Sequence, residues 1–263
     1  MRRSFRSLLC LAATAAGLSF LSAPANAAGD NYVALGDSYS SGVGTGGPYS
    51  GGGCQRSSSA YPQLWANSHA PSSFTFAACS GAKTGDVLSG QVGSVPANAT
   101  LVTISIGGND AGFTDVITTC TLGSDSTCVN RVNQAKTFVN NELPAKLDSV
   151  YDAIRQRSAT ARVIVMGYPR FYKVPGSCVV GLSDTKRSAI NSGADALAAV
   201  TAARASAHGF TFVDMRTIWT GHEICSSGTV WLNSLTWPVG ESYHPNKAGQ
   251  SGGYLPALTS VTG

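Results

Sequence analysis

The chain has 263 residues, 43% of them hydrophobic and only 12% charged, with a formal net charge of +4. This composition excludes a disordered chain. Arg2, Arg3 and Arg6 carry three of the positive charges at one end, so the excess is not the footprint of a nucleic-acid-binding surface. The length suits one α/β domain, or at most two small ones, able to bury roughly 70–75% of its unfolded surface without help from a metal or an oligomer.

In chain order, the first feature is a secretory leader over residues 1–27. Arg2, Arg3 and Arg6 form its basic start, residues 8–21 its apolar run, and Ala25-Asn26-Ala27 a small-residue cleavage site. The run is too short for a membrane helix and is interrupted by Thr14, Gly17 and Ser19. The expected mature chain, residues 28–263, is a single secreted, extracellular domain with 15 basic and 14 acidic side chains. The leader takes Cys10 with it, leaving Cys54, Cys79, Cys120, Cys128, Cys178 and Cys225. An even number in an exported chain argues for disulfides, and the residues alone leave all 15 pairings open. The lack of a C-x-x-C, or of a Cys and His at finger-like spacing, argues against structural zinc.

Residues 31–35 form a short apolar strand ending in Gly36-Asp37-Ser38. A loop rich in Gly and Ser follows over 40–59. Residues 60–68 read as a helix with Pro62 in its first turn. Strands are expected at 74–77 and, more strongly, at 101–106, where Gly107-Gly108 stops the run. From Val129 to Ile154 apolar positions recur at three, four or seven residues, the pattern of an amphipathic helix. Pro144 either kinks that helix or starts a second one. Strand 162–166, helix 183–208, strand 210–213 and a closing helix within 246–258 complete the chain. Alternating strands and helices imply parallel pairing in one doubly wound α/β domain, with ligands at the carboxyl ends of the strands.

Four segments bear on chemistry. Ser38, at a strand's carboxyl end beside a glycine, presents its hydroxyl there, although the triplet also describes an ordinary turn serine. Asn109, in Gly107-Gly108-Asn109-Asp110, has a side-chain amide suited to an oxyanion, or to its own turn. His244, in His244-Pro245 with Glu241 three residues earlier, suits an oriented general base or a surface histidine. The fourth, Gly249-Gln250-Ser251-Gly252-Gly253, fits the G-x-S-x-G pattern. No strand precedes it and no histidine follows it, so Ser251 is not a nucleophile. Nor do residues 81–84 have the spacing of a P-loop.

Taken jointly, Gly36-Asp37-Ser38, Cys79-Ser80-Gly81, Gly107-x-Asn109-Asp110 and Glu241-x-x-His244-Pro245 resemble the blocks of the SGNH (GDSL-type) hydrolases. Among them the chain is most similar to secreted actinomycete lipases and phospholipases. The resemblance spans nearly all of residues 28–263. It implies a flavodoxin-like three-layer sandwich with a central parallel sheet of about five strands. It also implies a serine ester hydrolase with Ser38 as nucleophile, His244 as base, and an oxyanion hole of the Ser38 amide, the Gly81 amide and the Asn109 side chain. The family commonly has Asp three residues before the histidine, where this chain has Glu241. Either the Glu241 carboxylate or a backbone carbonyl, of Glu241 or Ser242, then orients the imidazole. The same resemblance implies disulfides Cys54–Cys79, Cys120–Cys128 and Cys178–Cys225.

The expected activity is therefore hydrolysis of lipid esters, as a lipase or phospholipase A, by a monomer acting at aggregated or membrane interfaces. A carbohydrate O-acetyl esterase and a non-catalytic secreted binding module are the rival readings. Val43, Phe113, Phe171 and Trp237 could present an acyl groove, although such residues are more often plain core. No acidic cluster has calcium-loop spacing, so neither a metal nor another cofactor is expected, and no nucleic acid.

Overall fold

The apolar run after Asp30 becomes the first strand, β1 (Asn31–Gly36), buried from Tyr32 onward. It belongs to a computed structural model that describes residues 29–178 and 180–263; the leader and Cys10 lie outside the described residues. A one-turn helix, α1 (Ser38–Ser41), follows at once. The loop beyond it holds a small antiparallel hairpin, β2 (Tyr49–Ser50) with β3 (Arg56–Ser57). Then come α2 (Tyr61–His69), with its proline in the first turn, β4 (Ser73–Phe76) and the single turn α3 (Thr84–Asp86).

Strand β5 (Leu101–Ser105) is buried at every position, which explains why its sequence shows no alternation. Its two polar side chains are paired inside: Thr103 bonds the Tyr32 hydroxyl at 2.8 Å, and Ser105 bonds Ser40 at 2.7 Å. Helix α4 (Phe113–Leu122) escapes the sequence reading. It spans only 10 residues, starts from Gly112 without a side-chain cap, and carries four threonines. The long periodic stretch divides into α5 (Asp125–Asn141) and α6 (Leu143–Arg157), and Pro144 sits in the first turn of α6. The proline thus starts a second helix, since its missing N–H costs nothing there.

The rest of the chain forms β6 (Arg162–Met166), α7 (Asp184–Ala207), β7 (Thr211–Val213), the short α8 (Met215–Ile218) and α9 (Leu255–Thr262). The closing helix begins later than its sequence suggests because Gly249–Tyr254 forms a wider, π-type turn first.

The five long strands lie in the order β4-β1-β5-β6-β7, all parallel. Counted along the chain this is second, first, third, fourth, fifth, the flavodoxin-like order. In such a sheet the chain winds outward in both directions from between its first and third strands, and the crevice opens at their carboxyl ends. Here those strands are β1 and β5. Their carboxyl ends deliver Asp37 and Ser38 on one side and residues 107–110 on the other.

Three disulfides tie the peripheral loops. Cys54–Cys79 joins the hairpin loop to the segment after β4, Cys120–Cys128 links α4 to α5, and Cys178–Cys225 ties two long loops. Their sequence separations are 25, 8 and 47 residues. On loop-closure entropy alone, breaking Cys178–Cys225 should cost about 4 kcal/mol and breaking Cys120–Cys128 about 2.5 kcal/mol. Chemical denaturation of the two double-alanine variants checks this order. Equal or reversed losses would show that loop length does not set the contribution.

Candidate active site

Where β1 ends, the backbone makes a close pass that only glycine permits. Gly36 has φ of 122°. A Cβ there would lie 2.5 Å from the carbonyl oxygen of Ser105. The buried side chain of Gln91 clamps the same residue, accepting from its N–H at 2.7 Å and donating to its carbonyl at 2.9 Å. The Asp37 amide donates to the Ser105 carbonyl at 3.0 Å, locking the turn onto β5. Ser38 then opens α1, so its N–H has no acceptor within the helix.

Asp37 caps that helix, accepting from the Tyr39 amide at 3.0 Å. Its carboxylate also accepts from the Ser105 hydroxyl at 3.1 Å and from the Tyr168 hydroxyl. The group is only 2% exposed. Burial pushes its pKa up to about 6, and the three donors, Tyr168 foremost, pull against that shift. The carboxylate thereby fixes the turn before Ser38 to β5 and to the loop after β6.

His244 arrives from the far end of the chain. Its Nε2 lies 2.8 Å from the Ser38 hydroxyl oxygen, across 206 residues. Its Nδ1 lies 2.9 Å from the carbonyl oxygen of Ser242. A carbonyl only accepts, so the network assigns the proton to Nδ1 and leaves the Nε2 lone pair to accept from Ser38. Burial is the largest influence on this imidazole and lowers its pKa to about 4, against the backbone acceptors that favour the charged form.

The turn that makes the Ser242 contact is strained and braced. Tyr243 has φ of 62°, an uncommon conformation for a bulky residue. Its N–H donates to the Asn233 carbonyl at 3.0 Å, and its carbonyl accepts from the Tyr39 hydroxyl at 2.7 Å. On the other side the backbone at Gly44 presses so close that a Cβ would lie 2.7 Å from the His244 Cβ.

The Glu241 carboxylate, one of the two candidates to orient the imidazole, is directed away from it. That carboxylate accepts from the Tyr49 hydroxyl at 2.8 Å, and Tyr49 in turn accepts from the Gly44 amide at 3.2 Å. Glu241 closes a 3₁₀ turn (Val239–Glu241) whose side chain faces the hairpin loop, so it secures that loop.

Residues 81 and 109 sit on two loops that brace one another. The Asn109 side-chain amide donates to the Ala82 carbonyl at 3.0 Å, which uses one of its two N–H groups. Asp110 accepts from the Thr84 amide at 3.0 Å. The Gly81 segment is held to the sheet by the Cys79 amide, which donates to the Gly36 carbonyl at 2.9 Å, and by the Cys54–Cys79 disulfide. Among the described residues, no hydrogen bond engages the Gly81 N–H.

Ser38 and Asn109 line a space of about 710 Å³ that includes open solvent. It runs between α4, α5 and α7, walled by Val116, Val132, Val139, Ile190 and Leu197. Phe113 and Phe171 line it with their rings stacked at 5.3 Å between centroids. Val43 is instead core, 1% exposed, and Trp237 is 85% exposed. Ser251, the serine of the misleading glycine motif, is exposed and bonds the Lys247 carbonyl. Its neighbour Gln250 ties α2 to α1, accepting from the Tyr61 amide at 2.9 Å and donating to the Tyr39 carbonyl at 3.1 Å.

Gln91, Ser105, Tyr168 and Tyr49 escape the sequence reading, and Asp37 figures in it only as part of a turn. Asp37 had a local signal, since Asp before a short helix is a cap. The others pair across 55 to 192 residues and carry none.

The model of the GDSL-like lipase/acylhydrolase family matches residues 34–251. Lipase 1 of Streptomyces coelicolor is 58% identical over 261 residues, covering 98% of this chain and 97% of that one. The crystal structure of an extracellular lipase from Streptomyces rimosus is 56% identical, with a TM-score of 0.86, covering 89% of this chain and 100% of that one. A phospholipase A1 structure from Streptomyces albidoflavus is 54% identical, with a TM-score of 0.85, covering 89% and 99%.

Burial without a neighbouring carboxylate makes a definite statement about His244. Its lowered pKa means that the neutral ring persists as pH falls, until about pH 4. An NMR titration of the imidazole should place the midpoint well below the ordinary histidine value of about 6.5. A midpoint above 6 would show that a charge reaches the ring.

Proposed function

Because the chain belongs to the GDSL-like lipase/acylhydrolase family, we propose that it is a secreted hydrolase of lipid carboxylic esters, working as a monomer through a Ser38 acyl-enzyme. The observation that carries this reading is the Ser38–His244 contact of 2.8 Å, with Ser38 lining an apolar cavity. The lipase and phospholipase A1 relatives support the substrate class. The extracellular relative, the small-residue site at Ala25-Asn26-Ala27 and the three disulfides support export. That one chain supplies every group of the site supports the monomer. Lipase and phospholipase A activity are two forms of this one chemistry.

The steps follow from the atoms. The Ser38 oxygen attacks the ester carbonyl carbon while its proton passes to Nε2 of His244. The carbonyl oxygen becomes an oxyanion, met by the N–H groups of Ser38, Gly81 and the free N–H of Asn109. Collapse breaks the bond to the alcohol, which leaves with the proton from Nε2. Water then attacks the acyl-enzyme, again giving its proton to Nε2, and the acid departs as Ser38 recovers its hydrogen. The charged imidazolium formed in each step keeps its Nδ1–H on the Ser242 carbonyl. Asp37 holds the turn and takes no proton.

Two variants separate the groups. Asn109→Ala should lower kcat about 10²–10³-fold with a smaller change in KM, because the oxyanion exists only in the transition state. Glu241→Ala should lower kcat less than tenfold, whereas losing a true triad carboxylate costs about 10⁴-fold. A loss beyond a thousandfold in Glu241→Ala would restore the carboxylate to the mechanism. The substrate class is tested by comparing phosphatidylcholine and long-chain p-nitrophenyl esters with acetylated sugars. Turnover of acetylated sugars alone would replace lipid esters with carbohydrate esters.

The acyl chain is assigned to the cavity between α4, α5 and α7. Gly193 lines it, and an added Cβ would lie 3.5 Å from the nearest atom of Val132. Gly193→Leu should therefore cut kcat/KM for long-chain esters about tenfold or more and spare butyrate esters. An unchanged chain-length profile would move the acyl site elsewhere.

A further inference from the structure

The segment leading into His244 is also an exposed apolar surface. Leu235, Trp237 and Val239 are 63%, 85% and 59% exposed. They alternate along the chain, and residues 232–240 contain no charged side chain. The next acidic group, Glu241, is engaged by Tyr49. Single exposed apolar residues are ordinary, but three together on one short loop mark a contact surface.

The base of this loop is built on the backbone of His244 itself. The Asn233 amide donates to the His244 carbonyl at 2.9 Å, and the Tyr243 amide donates back to Asn233 at 3.0 Å. The Asn233 side chain donates to the carbonyls of Gly44 at 2.8 Å and Glu241 at 3.2 Å. Within the loop, the Thr236 amide donates to the Ser242 hydroxyl at 3.0 Å. The exposed trio is thus held rigidly to the base and its acceptor.

We propose that Leu235, Trp237 and Val239 are an interfacial anchor that inserts into the acyl boundary of an uncharged or zwitterionic lipid surface. The inference rests on the lipid-ester reading and names how that substrate is met. The occupant follows from the chemistry of the loop. An indole, with its apolar body and one N–H, suits a lipid–water boundary. Without a Lys or Arg in residues 232–240, attraction comes from apolar burial and not from anionic headgroups. Insertion would hold the segment that carries His244 at the lipid surface.

The test uses the Ser38→Ala protein, which leaves the lipid intact, with phosphatidylcholine vesicles. Trp65 and Trp219 are 2% and 0% exposed, and Trp231 is half-buried, so Trp237 is the indole able to report insertion. Binding should blue-shift the emission, and brominated acyl chains should quench it. Added salt or anionic lipid should change the binding little. Trp237→Ala should weaken vesicle partitioning about tenfold or more and remove the quenching. Trp237→Phe should retain most of the binding. With Ser38 present, Trp237→Ala should keep its kcat/KM on a soluble short-chain ester and lose about tenfold on vesicles. The proposal is overturned if the parent does not bind vesicles, if Trp237→Ala binds as the parent does, or if soluble and vesicle turnover fall together. Trp237-dependent binding by a protein that hydrolyses no lipid ester would sink the lipid-ester reading and leave the anchor standing.

Discussion

A neutral imidazole held between two oxygens is the constraint on which the rest of the structure depends. Nδ1 of His244 donates to the Ser242 carbonyl and Nε2 accepts from Ser38, at 2.9 and 2.8 Å. The two ends of this chain of bonds come from opposite ends of the sequence, so each must be fixed independently to the sheet. The Ser38 end is fixed by Gly36, Gln91 and the triply bonded Asp37. The His244 end is fixed by a strained Tyr243, braced by Asn233 and Tyr39. Both ends meet around α1, where Tyr39 spans them: its amide serves Asp37 and its hydroxyl serves Tyr243.

Burial shifts the two titratable groups here toward neutrality, and what faces each one decides how it is used. Three hydrogen-bond donors converge on Asp37, an arrangement that suits an acceptor and ties up its oxygens structurally. The hydrogen-bond partners of His244 are a backbone carbonyl and the serine hydroxyl, so its low pKa keeps the free lone pair available. A carboxylate at Nδ1 would stabilise the imidazolium more strongly, and it would also raise the pKa of the resting base. Glu241 instead secures the loop containing Gly44 and Tyr49, which presses on the back of the histidine.

Much of the architecture was legible in the sequence because parallel strands buried on both faces read as continuous apolar runs. The runs at 101–106 and 162–166 match β5 and β6 closely. Helix α4 was not legible, since a short, threonine-rich segment without a capping residue has no distinctive local pattern. At the site, Ser38, Gly81, Asn109 and His244 stood in recognisable blocks of sequence. The Ser242 carbonyl was legible only as one of two backbone alternatives to Glu241, because every residue has a carbonyl and only the turn geometry selects one. Gln91, Ser105 and Tyr168 were illegible for another reason: a buried cross-strand or cross-loop hydrogen bond leaves no mark on the residues beside it.

Every step of the chemistry depends on Ser38 being the hydroxyl that His244 activates. Reaction with a fluorophosphonate, followed by peptide mapping, reads this directly. The adduct should fall on the peptide containing Ser38, be absent from His244→Ala, and form more slowly as pH drops through about 4, where the imidazole gains its proton. An adduct on Ser251 or any other serine, or labelling of His244→Ala at the parent's rate, would contradict it.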